Sequence, residues 1–73
     1  MTGARDVDLL GFASRWADHG GGPADQIMEV FGFSQTEFFT RILRLTDESA
    51  ELDDARRRRL RRVARLRLWL CSA

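Results

Sequence analysis

The chain has 73 residues, enough for one small domain, and its formal net charge is only +1. Proline occurs once, tyrosine is absent and strand-forming residues do not alternate along the chain, which excludes a β-rich fold and predicts an all-α one. One cysteine and one histidine exclude an intrachain disulfide and a Cys/His zinc site.

Four predicted helices organise the chain as a single helical domain over residues 1–73. We expect them over residues 6–18, 23–31, 34–46 and 54–70. The first has Asp6 as its cap and a stripe of inward apolar residues spaced i, i+3, i+4 and i+7, namely Leu9, Phe12, Ala13 and Trp16. The three glycines after it predict a flexible loop. A phosphate cradle is the alternative, although no P-loop lysine is present.

The corner between the second and third helices is the most informative local pattern. Gly32 is a typical left-handed helix terminator, and Ser34 is a good N-cap with Glu37 three residues later. Phe38 then points inward together with Ile42 and Leu45. Two short helices joined by a glycine turn predict a helix-turn-helix within a three- to four-helix domain. An ordinary helical hairpin without a ligand remains the alternative.

The third helix is the predicted recognition helix. Its outward polar residues, which we expect near the edges of DNA bases, are Gln35, Thr36 and Thr40. Phe39 and Leu43 form a second apolar line beside the inward one. We therefore expect this second line to be covered by either the fourth helix or a partner chain.

The fourth helix concentrates the positive charge of the chain. Residues 1–54 hold all eleven acidic residues and four arginines, so their charge is −7, whereas residues 55–73 hold eight arginines and no acid, so theirs is +8. Its apolar stripe is predicted from Leu60, Val63, Leu66 and Leu70. Such an arginine density needs an acidic neighbour, which is nucleic-acid phosphate, the chain's own carboxylates or an anionic membrane surface.

No group of residues supports catalysis, because the one histidine lies in a glycine loop and the one cysteine near the end. We therefore expect a non-enzyme with no cofactor and no metal. The first residues lack a cationic segment followed by a long apolar run, and no stretch is long enough to span a membrane. These observations predict a cytoplasmic protein.

The chain resembles a family of short, mostly actinobacterial proteins of unknown function, over about residues 8–68. The residues that carry the resemblance are Phe12, Trp16, Phe31, Gly32, Phe33, Ser34, Phe38 and Phe39. Two tyrosines are usual in the family at Phe38 and Phe39, and an apolar residue at Arg41. The resemblance implies a helix-turn-helix-like, DNA-binding regulator.

Two functional hypotheses follow. The first is a transcriptional regulator that binds double-stranded DNA as a homodimer. Its expected phosphate contacts are one serine and six arginines, namely Ser34, Arg44, Arg57, Arg58, Arg61, Arg62 and Arg65. The second is a protein-interaction module. In it the acidic body and the basic helix pair between chains, or with another regulator or RNA polymerase.

Overall fold

The computed structural model describes residues 5–50 and 52–72 of the chain, and all regular structure within them is helical. The four α-helices are α1 (Asp6–Trp16), α2 (Ala24–Phe31), α3 (Gln35–Glu48) and α4 (Asp54–Ser72). A short 3₁₀ turn, Ala17–His19, follows α1. The predicted all-α class is confirmed.

Several helix ends differ from the predicted ones. Arg5 rather than Asp6 occupies the N-cap position of α1, and the α-helical part of α1 ends at Trp16 because the chain tightens into the 3₁₀ turn. The C-terminal ends of α3 and α4 lie two residues beyond their predicted positions, at Glu48 and Ser72. The end of α3 is contacted by Arg57 and Arg61 of α4, and such contacts between helices are not contained in a local sequence pattern.

The corner between α2 and α3 has the predicted geometry. Gly32 has a φ of +81°, and its N–H donates to the carbonyl of Met28 at 2.8 Å, which ends α2. The Ser34 hydroxyl accepts a hydrogen bond from the N–H of Glu37 at 3.2 Å and so caps α3. Local signals therefore set the start of α3.

The core is built around α3, which packs most extensively on α4 and also contacts α1 and α2. Phe38, Phe39 and Ile42 are almost fully buried. The ring of Phe38 lies 5.6 Å from that of Phe12 and 5.4 Å from that of Phe31, measured between centroids. The cover over Phe39 is provided within the chain, because Arg67 of α4 lies over its ring.

The glycine segment after the 3₁₀ turn is packed against the core, in contrast to the predicted flexible loop. Gly22 has a φ of +110°, and a Cβ there would lie 2.5 Å from Cε1 of Phe12. Gly21 is equally restricted, since its Cβ would meet Val63 at 2.7 Å. Only glycine fits both the backbone angle and the space at these positions.

The inward face of α4 differs from the predicted stripe. Leu60 and Ala64 are buried, but Leu66 and Leu70 are each more than half exposed. Arg57, three residues before Leu60, and Arg67, three residues after Ala64, also take inward positions. The predicted stripe is therefore right at Leu60 and at Val63, which packs against the core, and wrong at Leu66 and Leu70.

Candidate nucleic-acid interface

Helices α3 and α4 run antiparallel and share one outer surface. Arg57 bonds to the carbonyl of Thr46 near the end of α3, whereas Arg67 bonds to Gln35 at its start. An ion pair from Arg61 to the exposed Asp47, next to Thr46, also crosses the seam between the helices, on its solvent side. This pair identifies the strip of each helix that faces outward.

Helical spacing assigns further residues to the same strips. On α3, Arg44, Thr40 and Thr36 lie three, seven and eleven residues before Asp47. On α4, Arg58 lies three residues before Arg61 and Arg65 lies four after it, with Arg62 beside them. We call this the outer surface; it consists of Thr36, Thr40, Arg44, Arg58, Arg61, Arg62 and Arg65.

Two of the three predicted base-contacting residues are on the outer surface and open to solvent. Thr36 and Thr40 are both exposed. The hydroxyl of Thr40 donates to the carbonyl of Thr36 at 2.7 Å, which leaves its oxygen free to accept a further bond. Their arrangement is compatible with polar contacts to a ligand that lies along α3.

Gln35, the third predicted base-contacting residue, has a different role. Its side-chain oxygen accepts a hydrogen bond from Nη2 of Arg67, and the residue is half-buried. Arg67 also donates to the carbonyls of Gly20 and Gly22 at 2.8 and 2.6 Å. Because its oxygen is held inside the fold, Gln35 is not placed to read a base edge.

Arg57 also differs from its predicted role as a phosphate contact. Its guanidinium donates to the carbonyls of Thr46, Ser49 and Leu52, the last at 2.9 Å. Thr46 and Ser49 belong to the end of α3, where carbonyls lack partners within the helix. Arg57 therefore caps α3 from the neighbouring helix, and its guanidinium is not free to contact a phosphate.

Apart from Arg56, which is exposed and lies outside the outer surface, the other arginines of α4 fall into two groups. Arg59 pairs with Asp18 and Arg61 pairs with Asp47, so the chain's own carboxylates neutralise these two. Arg58, Arg62 and Arg65 are exposed. Within residues 5–50 and 52–72, no ion pair or hydrogen bond satisfies any of the three. Together with Arg44 of α3, this second group carries the uncompensated positive charge of the outer surface.

The remaining predicted phosphate contacts lie on α3. Arg44 is exposed and makes no ion pair within the described part of the chain. Ser34 is exposed, and its hydroxyl is used as the N-cap. Beside them Glu37 pairs with Arg41 at 2.6 Å, and Arg41 lies 4.7 Å from the ring centroid of Phe33. That pair leaves little net charge on its side of α3.

Sequence reasoning missed the interior role of Arg67. The signal was its position, seven residues after Leu60 and three after Ala64, which places it on the buried face of a helix. An arginine there is compatible with a helical interface when its guanidinium has acceptors and an aromatic face. Gly20, Gly22 and Phe39 supply these.

The described residues contain neither a cluster of metal ligands nor a helix that could cross a membrane. In residues 5–50 and 52–72, no three His, Cys, Asp or Glu side chains are grouped as metal ligands would be. None of the described helices has the combination of length and apolar character that crossing a bilayer requires. Cys71 is an exposed free thiol at the end of α4.

Fold and site together define a small all-α protein with an arginine-rich outer surface. The chain belongs to the family described as Protein of unknown function (DUF3263), whose model matches residues 2–68. The expected membership of a family of unknown function is thereby confirmed. Comparisons with curated proteins and with solved structures gave no match.

Proposed function

We propose that this protein binds double-stranded DNA through the outer surface of α3 and α4. The observation that carries the proposal is that Arg58, Arg62 and Arg65 are exposed without an ionic partner in the described residues. Three arginines on adjacent turns of one helix repel one another unless a polyanion lies against them. Phosphates along a DNA backbone are such a ligand, and arginine contacts release their condensed counterions.

The second element of the proposal is the outward strip of α3. Thr36 and Thr40 lie across the seam from the free arginines, and Arg44 continues their line by one turn. The α2–α3 corner has a glycine turn and a serine cap, which support a helix-turn-helix there. In this arrangement α3 enters the major groove, the two threonines approach base edges and the arginines hold phosphates.

The biological setting belongs to the same proposal. A 73-residue unit reads few base pairs, so a homodimer on a palindromic site supplies the specificity of a transcriptional regulator. We propose this role for a cytoplasmic, non-enzymatic, actinobacterial protein. The protein-interaction alternative loses part of its support, because some pairing of acidic body with basic helix already occurs within one chain, at Arg59 with Asp18 and at Arg61 with Asp47.

The test is a fluorescence anisotropy titration with a labelled duplex over a series of salt concentrations. We expect the logarithm of the association constant to fall linearly with the logarithm of salt concentration. The double variant Arg58→Gln with Arg65→Gln removes two phosphate contacts, so the negative slope becomes shallower by about 1.8, at about 0.9 per phosphate.

The matched control is Arg15→Gln. Arg15 is exposed on α1, away from the outer surface, and makes no ion pair in the described residues. Its loss lowers the net charge without removing a proposed contact, so we expect an unchanged slope. Absence of binding at low salt, or equal slopes for all three proteins, would contradict the proposal.

A further inference from the structure

The line of free arginines on α4 continues to an exposed tryptophan. Trp69 lies four residues after Arg65 and seven residues after Arg62, which places it on their side of the helix. Arg58 lies about three full turns before Trp69 and so belongs to the same line. We call this line the arginine–tryptophan row; it consists of Arg58, Arg62, Arg65 and Trp69. Cations and an aromatic ring are therefore presented together on one strip of α4.

The ring of Trp69 is open to a ligand. Its side chain is 68% exposed, and within residues 5–50 and 52–72 it makes no contact with another aromatic ring or with a guanidinium. Trp16, in contrast, is half-buried and packs against Phe12 and the core. An indole is a large apolar surface that gains free energy when another flat ring covers it. The fold supplies such a cover to Trp16 but leaves both faces of Trp69 to solvent.

The order of groups in the row matches the chemistry of a single-stranded nucleic acid. Proteins bind single strands by placing cations along the phosphates and an aromatic ring against a base. Trp69 lies one turn, about 6 Å, beyond Arg65 along the helix axis. This separation is comparable to that between a phosphate and the base of the same nucleotide. Because a paired base is stacked within its duplex, the ring of Trp69 can stack only on an unpaired one.

The row does not have the pattern of a helix that lies on a bilayer. Such a helix presents an apolar face to the acyl chains and keeps its cations away from the centre of that face. On α4, Arg62 lies opposite the buried Leu60 and Ala64, at the outermost part of the helix. The exposed Leu66 and Leu70 lie to one side of the row. A bilayer would therefore meet a cation first, whereas a polynucleotide needs one there.

We propose that the arginine–tryptophan row binds a single-stranded DNA segment that adjoins a duplex. The arginines hold its phosphates and Trp69 stacks on one unpaired base. Arg67, two residues before Trp69, reaches Gln35 at the start of α3, so the single strand leaves the duplex at this end of the outer surface. The inference rests on the proposed DNA binding and names the form of DNA that the outer surface prefers.

The experiment is an anisotropy titration of the full chain with two labelled probes, a blunt duplex and the same duplex with an oligothymidine tail. We expect the tail to raise the affinity of the wild type by about 5- to 150-fold, which corresponds to one base–aromatic stack. Trp69→Leu keeps an apolar side chain without a π face, so it should lose most of this gain. Trp69→Phe should keep most of it. Affinity for the blunt duplex should be the same in all three proteins.

Leu70→Ala is the matched control, because Leu70 is an exposed apolar neighbour of Trp69 that lies off the row. It should keep the whole gain from the tail. Tryptophan emission gives a direct readout: the tailed duplex should quench it in the wild type but not in Trp69→Phe, where only the half-buried Trp16 emits. Circular dichroism melts show that the variants are folded.

The outcomes separate this inference from the proposed function. Binding to the blunt duplex without a gain from the tail, or an equal gain in the wild type and Trp69→Leu, would overturn the inference and leave duplex binding intact. Binding to neither probe would overturn both. Co-sedimentation with vesicles of phosphatidylglycerol and phosphatidylcholine that Trp69→Leu and Leu70→Ala both abolish would assign the end of α4 to a membrane surface and overturn the inference as well.

Discussion

Arg67 donates a hydrogen bond to the side-chain oxygen of Gln35, and this contact connects the C-terminal half of α4 to the first residue of α3. The same guanidinium donates to the carbonyls of Gly20 and Gly22 and lies 4.7 Å from the ring centroid of Phe39. One arginine therefore joins the glycine segment, α3 and α4. The contact also separates the roles of neighbouring residues on α3, because Gln35 stabilises the fold whereas Thr36 faces solvent.

The first prediction concerns Gln35. Gln35→Ala removes an acceptor from a half-buried charged donor, and hydrogen bonds of this type contribute about 1.5–3 kcal/mol. We expect the free energy of unfolding to fall by about 1–3 kcal/mol in urea denaturation, while the DNA sequence preference of the folded variant stays unchanged.

The control for Gln35 is its exposed neighbour. Thr36→Ala should change the free energy of unfolding by no more than about 0.5 kcal/mol, as is usual for surface substitutions. In the proposed complex it alters the base preference, which a selection from random duplexes measures. A shift of base preference in Gln35→Ala, or a wild-type denaturation midpoint in that variant, would contradict the assignment.

The second prediction concerns the cap that Arg57 places on α3. Arg57→Ala leaves the carbonyls of Thr46, Ser49 and Leu52 without this donor, in part-buried positions. We expect a loss of about 2–3 kcal/mol in the free energy of unfolding. Arg57→Lys should recover only part of it, because one ammonium group cannot reproduce the planar fork of donors. Thermal and urea unfolding measure both.

Arg58→Ala is the matched control for Arg57. Arg58 is the next residue of α4 and is exposed, so its removal should leave the unfolding midpoint close to the wild type. In contrast, Arg58→Ala should weaken DNA binding more than Arg57→Ala does among folded molecules. If both variants lost the same stability, the carbonyl contacts of Arg57 would not be the cause.

Arg57 and Arg67 show which contacts the sequence could not predict. The glycine terminator at Gly32 and the cap at Ser34 act within three or four residues, so a local pattern was sufficient to predict the α2–α3 corner. The acceptors of Arg57 and Arg67 lie 11 and 47 residues away along the chain, at Thr46 and Gly20. Their identity depends on how helices pack, which residue spacing alone does not specify.

The outward residues of α4 illustrate the same limit. Its helical character and its basic composition follow from the sequence, but the choice of buried face depends on where α3 and the 3₁₀ turn lie. Leu66 and Leu70 were predicted to face inward because they continue the spacing of Leu60 and Val63, whereas the structure places Ala64 and Arg67 on the inner face instead. The free arginines of the outer surface could be identified only after the paired ones were known.

The third prediction tests the packed glycine segment. Both Gly20 and Gly22 have positive φ values, +85° and +110°, so alanine is strained at either position. Nothing lies within 4 Å of a Cβ at Gly20, whereas a Cβ at Gly22 would clash with Phe12. Gly20→Ala therefore isolates the backbone strain, about 1–2 kcal/mol. Gly22→Ala should lower the free energy of unfolding by a further 1–3 kcal/mol, roughly, because the added methyl group overpacks the core against Phe12. Equal melting temperatures of the two variants would contradict the close contact.

The fourth prediction concerns Phe38, at the centre of the aromatic cluster. Its ring is fully buried and lies edge-on to those of Phe12 and Phe39, with centroid distances of 5.6 and 4.9 Å. Truncation of a buried phenylalanine to alanine costs about 3–5 kcal/mol, because it leaves a cavity as well as losing apolar burial.

That cost is comparable with the whole stability of such a chain, since about 0.05–0.15 kcal/mol per residue is typical of native proteins. We therefore expect Phe38→Ala to be largely unfolded, with loss of helical circular dichroism and no cooperative melting. Val30→Ala, at a position 55% exposed on α2, is the control and should melt close to the wild type. A cooperative, wild-type-like melt of Phe38→Ala would mean that the α2–α3 corner does not hold its ring inside the core. The outward orientation of Thr36 and Thr40, fixed by the same helix, would then no longer follow.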